Sequence, residues 1–118
     1  KNYKKLPGTP DIAITKYRIA IFCDSEFFHG YNWKIKKQKL GHNREYWIRK
    51  IERNMARDRE NDFRLIAMEW VPMHFWGQEI QKHTDECVQA VEDLIFELQM
   101  AQFDSIIAVE RDYVEDIK

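Results

Sequence analysis

Cysteine is scarce in this chain: two in 118 residues, Cys23 and Cys87, with no CxxC pair. That excludes a four-cysteine zinc site and reads as two reduced, partly buried thiols in a cytosolic protein. No apolar run approaches the length of a membrane span, so no membrane partner is expected. No charged-then-apolar leader follows Lys1, so no signal peptide is expected either. The missing initiator Met suggests a piece of a longer chain. Internal repeats and low-complexity segments are also absent. What is present, 44% hydrophobic and 33% charged residues, suits one globular domain of ordinary size. The net charge of −1 hides an asymmetry: fifteen of the nineteen Lys and Arg lie before residue 60, and most of the Asp and Glu lie after it. A basic half points to a polyanionic partner. The acidic half suits a solvated layer or a contact surface for another chain.

Residues 1–5 read as a basic lead-in. The stretch LPGTPDIAITKYRIAIFCDSEFFH, Leu6 to His29, carries the organising features. Leu6-Pro7-Gly8-Thr9-Pro10 is a rigid turn that aims Asp11. Two β-branched runs, Ile12–Ile14 and Ile19–Phe22, flank the turn Thr15–Arg18 and predict an antiparallel pair. Asp11 and Asp24 should then share one end of the hairpin, with His29 on the loop beyond. Two carboxylates and a histidine on a rigid platform suit metal-assisted hydrolysis. From Ser25 to Asn43 the chain reads as a loop in which Phe27, Phe28, Tyr31 and Trp33 mix with Lys34, Lys36, Lys37 and Lys39. Such a mixture suits nucleic acid, rings stacking or wedging and lysines meeting phosphate. It equally suits rings folded down as a loop core with the lysines outside.

A long helix is predicted from Arg44 to Ala67, with Asn43 as N-cap and Trp47, Ile48, Ile51, Met55, Leu65 and Ile66 at helical spacing. Asp58 and Asp62 fall inside that stripe, where a carboxylate is costly without a partner. His29 is the candidate partner for Asp58. The outer face carries Arg44, Arg49, Lys50, Arg53, Arg57 and Arg59. Trp70–Trp76 reads as a third strand, at an edge or bulged because of Pro72 and parallel because a helix precedes it. A second helix follows over about Gln78 to Gln102, with a restart at Thr84. Phe103 to Lys118 reads either as a short strand around Ile106–Val109 or as a helical tail. His42, His74 and His83 are read as structural or exposed.

PGTPD, FCDSEFFHG, YWIRKIERNMARDRE and EWVPMHFW, in this order and spacing, resemble the very-short-patch repair endonuclease family. They look equally like the catalytic modules of EDxHD-type homing endonucleases. Both groups belong to the PD-(D/E)xK superfamily, and the resemblance covers roughly residues 6 to 80. It implies an α/β, restriction-endonuclease-like core: a small mixed β-sheet flanked by helices, residues 1–118 forming one catalytic domain. It implies Asp11 as metal ligand and Cys23 as a ligand through its main-chain carbonyl. Asp24 is either a second ligand or a loop cap. His29 is implied as the catalytic histidine and Asp58 as the residue that orients it. Phe27, Phe28 and Trp47 match positions of aromatic wedges, and Lys34, Lys36, Lys37 and Lys39 read as a phosphate-contacting surface.

The cofactor expected is Mg²⁺, with Mn²⁺ able to substitute. No zinc is expected, because the family's zinc-ligand positions carry Glu26, Gly30, Tyr31 and Asn32. The acidic residue that the family carries on an N-terminal helix has no counterpart here, so it either lies upstream or leaves the site incomplete. The reading favoured on these residues is the catalytic half of a homing-type endonuclease cutting double-stranded DNA. Target reading would fall to another domain, and the enzyme would work in the cytoplasm of a bacterial or phage-infected cell. A mismatch-specific nicking endonuclease and a DNA-binding module with a decayed site are the alternatives. A homodimer is left open.

Overall fold

Gly8 and Thr9 both take positive φ, 79° and 47°, in the turn that precedes the first strand. A Cβ on Gly8 would stand 3.0 Å from the Phe22 ring, so glycine lets the turn lie against the sheet. The computed structural model describes residues 3–117, with side chains through Ala108. Residues 1 and 2 of the basic lead-in, Lys118, and the side chain of Val109 lie outside the described residues. β1 (Ile12–Ile14) pairs antiparallel with β2 (Ile19–Asp24), Ile12 facing Ile21 and Ile14 facing Ile19. The reversal is tight: Tyr17 N–H donates to the Ile14 carbonyl at 3.3 Å, and Arg18 takes φ 55°.

β3 (Val71–Trp76) lies parallel to β2, with Ala20 beside Pro72, Phe22 beside His74 and Asp24 beside Trp76. The order is β1-β2-β3, so β3 is an edge among these strands, where Pro72 costs no ladder bond. The result is a small mixed sheet with helices, the α/β class expected of a restriction-endonuclease-like core.

Between β2 and β3 the chain forms α1 (Trp33–Lys39) and α2 (Arg44–Ala67). α2 has the bounds expected from its periodicity. α1 is a correction: the Ser25–Asn43 stretch holds a seven-residue helix, and its good helix formers Lys34, Lys36, Lys37, Gln38 and Lys39 explain why. Asn43 is the N-cap residue of α2, as expected, but it caps through its backbone: the Trp47 N–H reaches its carbonyl at 3.1 Å. It precedes α2 in the left-handed region, φ 54°, with no side-chain cap bond. α2 ends at Met68, whose N–H reaches the Arg64 and Leu65 carbonyls, and at Glu69, φ 66°.

Side-chain alternation in β2 sends Ala20, Phe22 and Asp24 to one face and Ile19 and Ile21 to the other. On the first face Ala20 and Phe22 form a core with Leu6 and Leu65 of α2, edged by Tyr3, Ala13 and Trp70. Ile51 of α2 is also buried, whereas Ile66 is exposed. After β3 come α3 (Gly77–Lys82) and α4 (Thr84–Ile117). The helical run expected from Gln78 does restart at Thr84, where α4 begins, and the undecided tail from Phe103 is helical through Ile117. The chain divides into two compact units, Lys1–Thr84 and Asp85–Lys118. The second is the acidic body of α4, with Phe96, Phe103 and Ile106 exposed.

Leu65 has no exposed surface and joins α2 to the sheet. Leu65→Ala is expected to lower unfolding free energy by about 2–5 kcal/mol, read from urea denaturation.

Candidate active site

The site begins where β1 runs out. The β1–β2 ladder stops at the Ile12–Ile21 pair. Asp11 N–H still reaches the Ile21 carbonyl at 2.9 Å, and the Asp11 carboxylate takes over beyond it: Oδ2 accepts the Cys23 N–H at 2.7 Å. A strand residue sends its N–H and C=O to the same edge, so the Cys23 carbonyl is directed to the edge that Asp11 occupies. Asp11, Asp24, His29, Asp58, Asp62 and His74 line one cavity of about 190 Å³.

His29 arrives there through a tightly bound loop. Its N–H donates to the Ser25 carbonyl at 3.1 Å, and the Tyr31 N–H to the Glu26 carbonyl at 3.0 Å. Asn54 of α2 donates to the Phe28 carbonyl at 3.0 Å. Gly30 takes φ 76°, and a Cβ there would fall 2.3 Å from the Met55 sulfur, so the loop crosses α2 at a point that needs glycine. The crossing at Met55 leaves His29 beside the residue one turn further along the same helical face, Asp58. His29 Nδ1 lies 2.6 Å from Asp58 Oδ2. A carboxylate only accepts, so Nδ1 carries the proton and, in the neutral ring, Nε2 is the basic nitrogen. Asp24 Oδ1 is further from Nδ1, at 4.0 Å.

The second carboxylate of the α2 stripe also has a histidine. His74 Nδ1 donates to Asp24 Oδ2 at 2.7 Å, and Nε2 donates to both oxygens of Asp62 at 2.8 Å. The ring stacks on Phe22, centroids 4.7 Å apart and planes 11° from parallel. Two carboxylates on two ring nitrogens require both protons. Burial alone would pull the His74 pKa down, but the hydrogen bonds and charges of Asp24 and Asp62 outweigh it and push it up to about 9. His74, read from sequence as structural or exposed, is an exposed residue of β3 whose ring bridges two carboxylates. Its strand register placed it beside Phe22, which sequence spacing alone did not show. The unexplained carboxylate at Asp62 was the signal that a second partner existed.

The aromatic positions also converge. Phe27 meets Phe28 and Trp47 edge-on at 5.2 and 5.1 Å, and Tyr46 meets Trp47 at 5.2 Å. Of the loop aromatics, Phe27, Phe28 and Tyr31 are exposed, so the loop-core alternative does not describe them. The lysines divide. Lys37 pairs with Glu52 at 2.9 Å, and its hydrogen bond, with that of Trp33, lowers the Glu52 pKa. Lys36 lies over the Tyr31 ring. Glu26 and Tyr31 stitch the loop to the next elements: Glu26 accepts the Gln78 N–H at 2.9 Å, and Tyr31 meets Trp76 edge-on at 5.1 Å.

The donor set suits a hard cation. Asp11 and the Cys23 carbonyl offer oxygens and leave most of a coordination shell to water and phosphate, as Mg²⁺ prefers. Among the described residues no three His, Cys, Asp or Glu side chains form a closed metal cage.

A histidine whose pKa is raised on folding stabilises the folded state fully below its ordinary value, and that stabilisation fades as pH rises through the folded value. The stability advantage of wild type over His74→Leu is therefore expected to shrink as pH is raised from 6.5 through about 9, measured as urea midpoints across that window.

The family model for "DNA mismatch endonuclease Vsr" matches residues 1–35. The Type II nicking enzyme V.HpaIIP of Haemophilus parainfluenzae is 40% identical over 97 residues, 82% of this chain and 69% of that one. The Type II nicking enzyme V.NmeDIP of Neisseria meningitidis serogroup C is 39% identical over 99 residues, 84% and 67% of the two chains. The DNA mismatch endonuclease Vsr of Escherichia coli K12 is 33% identical over 86 residues, 70% and 54%. With two relatives near 40% identity matched over at least two thirds of their length, this chain belongs to the Vsr endonuclease family.

Proposed function

We propose that this chain is a metal-dependent endonuclease that nicks one strand of duplex DNA. The observation that carries the reading is the Asp58–His29 pair, 2.6 Å apart, in the same cavity as Asp11. The relatives are named nicking and mismatch enzymes. The homing-type role favoured on sequence finds no support among them and gives way to the nicking alternative.

Hydrolysis of a phosphodiester requires a water to lose a proton as its oxygen attacks phosphorus and the ester oxygen departs. His29 Nε2 takes that proton. Asp58 holds the Nδ1–H, which orients the ring and stabilises the imidazolium that forms. Asp11 and the Cys23 carbonyl would hold Mg²⁺, or Mn²⁺ in its place, and the cation would supply phosphate polarisation and charge stabilisation on the leaving oxygen. Phe27 and Phe28 are exposed, with Trp47 half-buried against Phe27, an aromatic patch suited to wedging between base pairs. Lys34 and Lys39 are the cations of α1 best suited to phosphate. Lys37 is less so, because Glu52 already neutralises it. A mismatch as the preferred target is the finer part of the reading, drawn from the relatives' names.

Conversion of supercoiled plasmid to nicked circles tests the chemistry. His29→Ala is expected to slow nicking roughly 10²–10⁴-fold while duplex binding is retained, and Asp11→Asn to abolish it at any Mg²⁺ concentration. Equal nicking by wild type and Asp11→Asn would sink the reading; binding without nicking by wild type would favour a module whose site has decayed. Comparison of matched and mismatched duplexes then reads target preference. For the basic surface, Lys34→Ala/Lys39→Ala is expected to weaken duplex binding and to flatten the log K against log salt slope by about 0.9 for each phosphate no longer neutralised.

A further inference from the structure

The four carboxylates of the cavity are not equivalent. Asp11 holds the Cys23 N–H, and Asp58 holds His29. Asp24 and Asp62 come from β2 and α2, and His74 on β3 spans the two. His74 lines the cavity but keeps no ring nitrogen free for a substrate. Both of its nitrogens are engaged by carboxylates, and the Phe22 ring covers one of its flat sides. Its position nevertheless matters for the groups around it. Asp24 Oδ1 is 4.0 Å from the His29 nitrogen that Asp58 occupies at 2.6 Å, so an unclamped Asp24 would be within a small rotation of competing for the same proton. A hard cation seeks carboxylate oxygens in number, so an unclamped Asp24 and Asp62 would also offer it a second place to bind. His74 removes both rivals with charge-assisted hydrogen bonds, one set from each ring nitrogen.

We propose that His74 is a positioning residue: held between Asp24 and Asp62, it withdraws both carboxylates from the cavity, leaving the cation to Asp11 and His29 to Asp58. The same clamp joins α2 to the sheet across the site, so Asp58 is held at a fixed height above β2. Asp24, read from sequence as a second metal ligand or a loop cap, is on this view neither. The proposal rests on the reading of the cavity as a metal-assisted nuclease site.

The test is Mn²⁺ uptake by the metal-free chain, followed by calorimetry and by the electron-spin signal of the free ion. Wild type, His74→Leu, and the triple variant Asp24→Asn/Asp62→Asn/His74→Leu are compared, with circular dichroism to establish folding. His74→Leu is expected to take up a further equivalent of Mn²⁺, or to bind it about tenfold more tightly. The triple variant, which has no carboxylate to release, is expected to return to the wild-type value. A residue that served packing alone would not produce that reversal. Equal uptake by wild type and folded His74→Leu overturns the proposal. Should His74→Leu not fold, the ¹⁵N spectrum of the wild-type His74 ring decides. Protons on both nitrogens at about pH 7, with and without Mn²⁺, are expected, and a neutral ring overturns the proposal. Nicking is read in neither arm. A wild type that nicks DNA while its Mn²⁺ uptake is matched by His74→Leu loses only the role of His74. Loss of the nuclease reading shows instead in the Asp11→Asn comparison.

Discussion

Two aspartates one helical turn apart, Asp58 and Asp62, face the sheet from α2, and each is met by a histidine from a different element. That arrangement governs the rest of the site. Carboxylates on the packed face of a helix destabilise a fold unless partnered, so the loop that carries His29 and the strand that carries His74 must both come within hydrogen-bonding reach of α2. The devices that bring them there are backbone devices. Gly30 lets the loop cross at Met55, Asn54 holds the Phe28 carbonyl, and the parallel β2–β3 register sets His74 beside Phe22. The hydrophobic core of Leu6, Ala20, Phe22 and Leu65 fixes the separation between helix and sheet over which these bonds act.

The two histidines share a partner type but differ in state. His29 has one carboxylate in bonding range and keeps a nitrogen for proton transfer. His74 has one on each side and is a fixed cation. One ring is thus suited to chemistry and the other to electrostatics, and the difference arises from the number of acceptors around each ring. A cation between Asp24 and Asp62 also offsets part of the negative charge of the four carboxylates that line the cavity.

The aromatic cluster is built from a different chemistry. Phe27 and Tyr46 each meet Trp47 edge-on, and Phe27 meets Phe28 the same way; Phe27, Phe28 and Tyr46 are exposed, with Trp47 half-buried among them. Close to them, α1 is fastened to α2 by Glu52, which accepts from both Trp33 and Lys37. The lysines of α1 are therefore held on a short rigid helix beside the aromatic patch. The rings and the lysines thus lie on adjoining elements, the arrangement on which the proposed duplex contact rests.

Much of this was legible in residue order. The hairpin, the bounds of α2, the parallel edge strand and the Asp58–His29 pair all follow from local chemistry: β-branched runs around a turn, a helical stripe, a proline in a strand, and a carboxylate that a stripe cannot leave unpaired. Helical spacing even marked Asp62 as needing a partner. It did not name the partner, because His74 reaches Asp62 only through the register of two strands distant in sequence, and register is set by packing on both faces of the sheet. The short helix α1 escaped for the opposite reason: at seven residues it is too brief for periodicity to stand out from a run of lysines and aromatics, and it is held by Glu52 from another helix. Local sequence thus determined which groups could do chemistry. Tertiary contact decided how many partners each received, and with it which histidine keeps a nitrogen free for a proton and which remains charged.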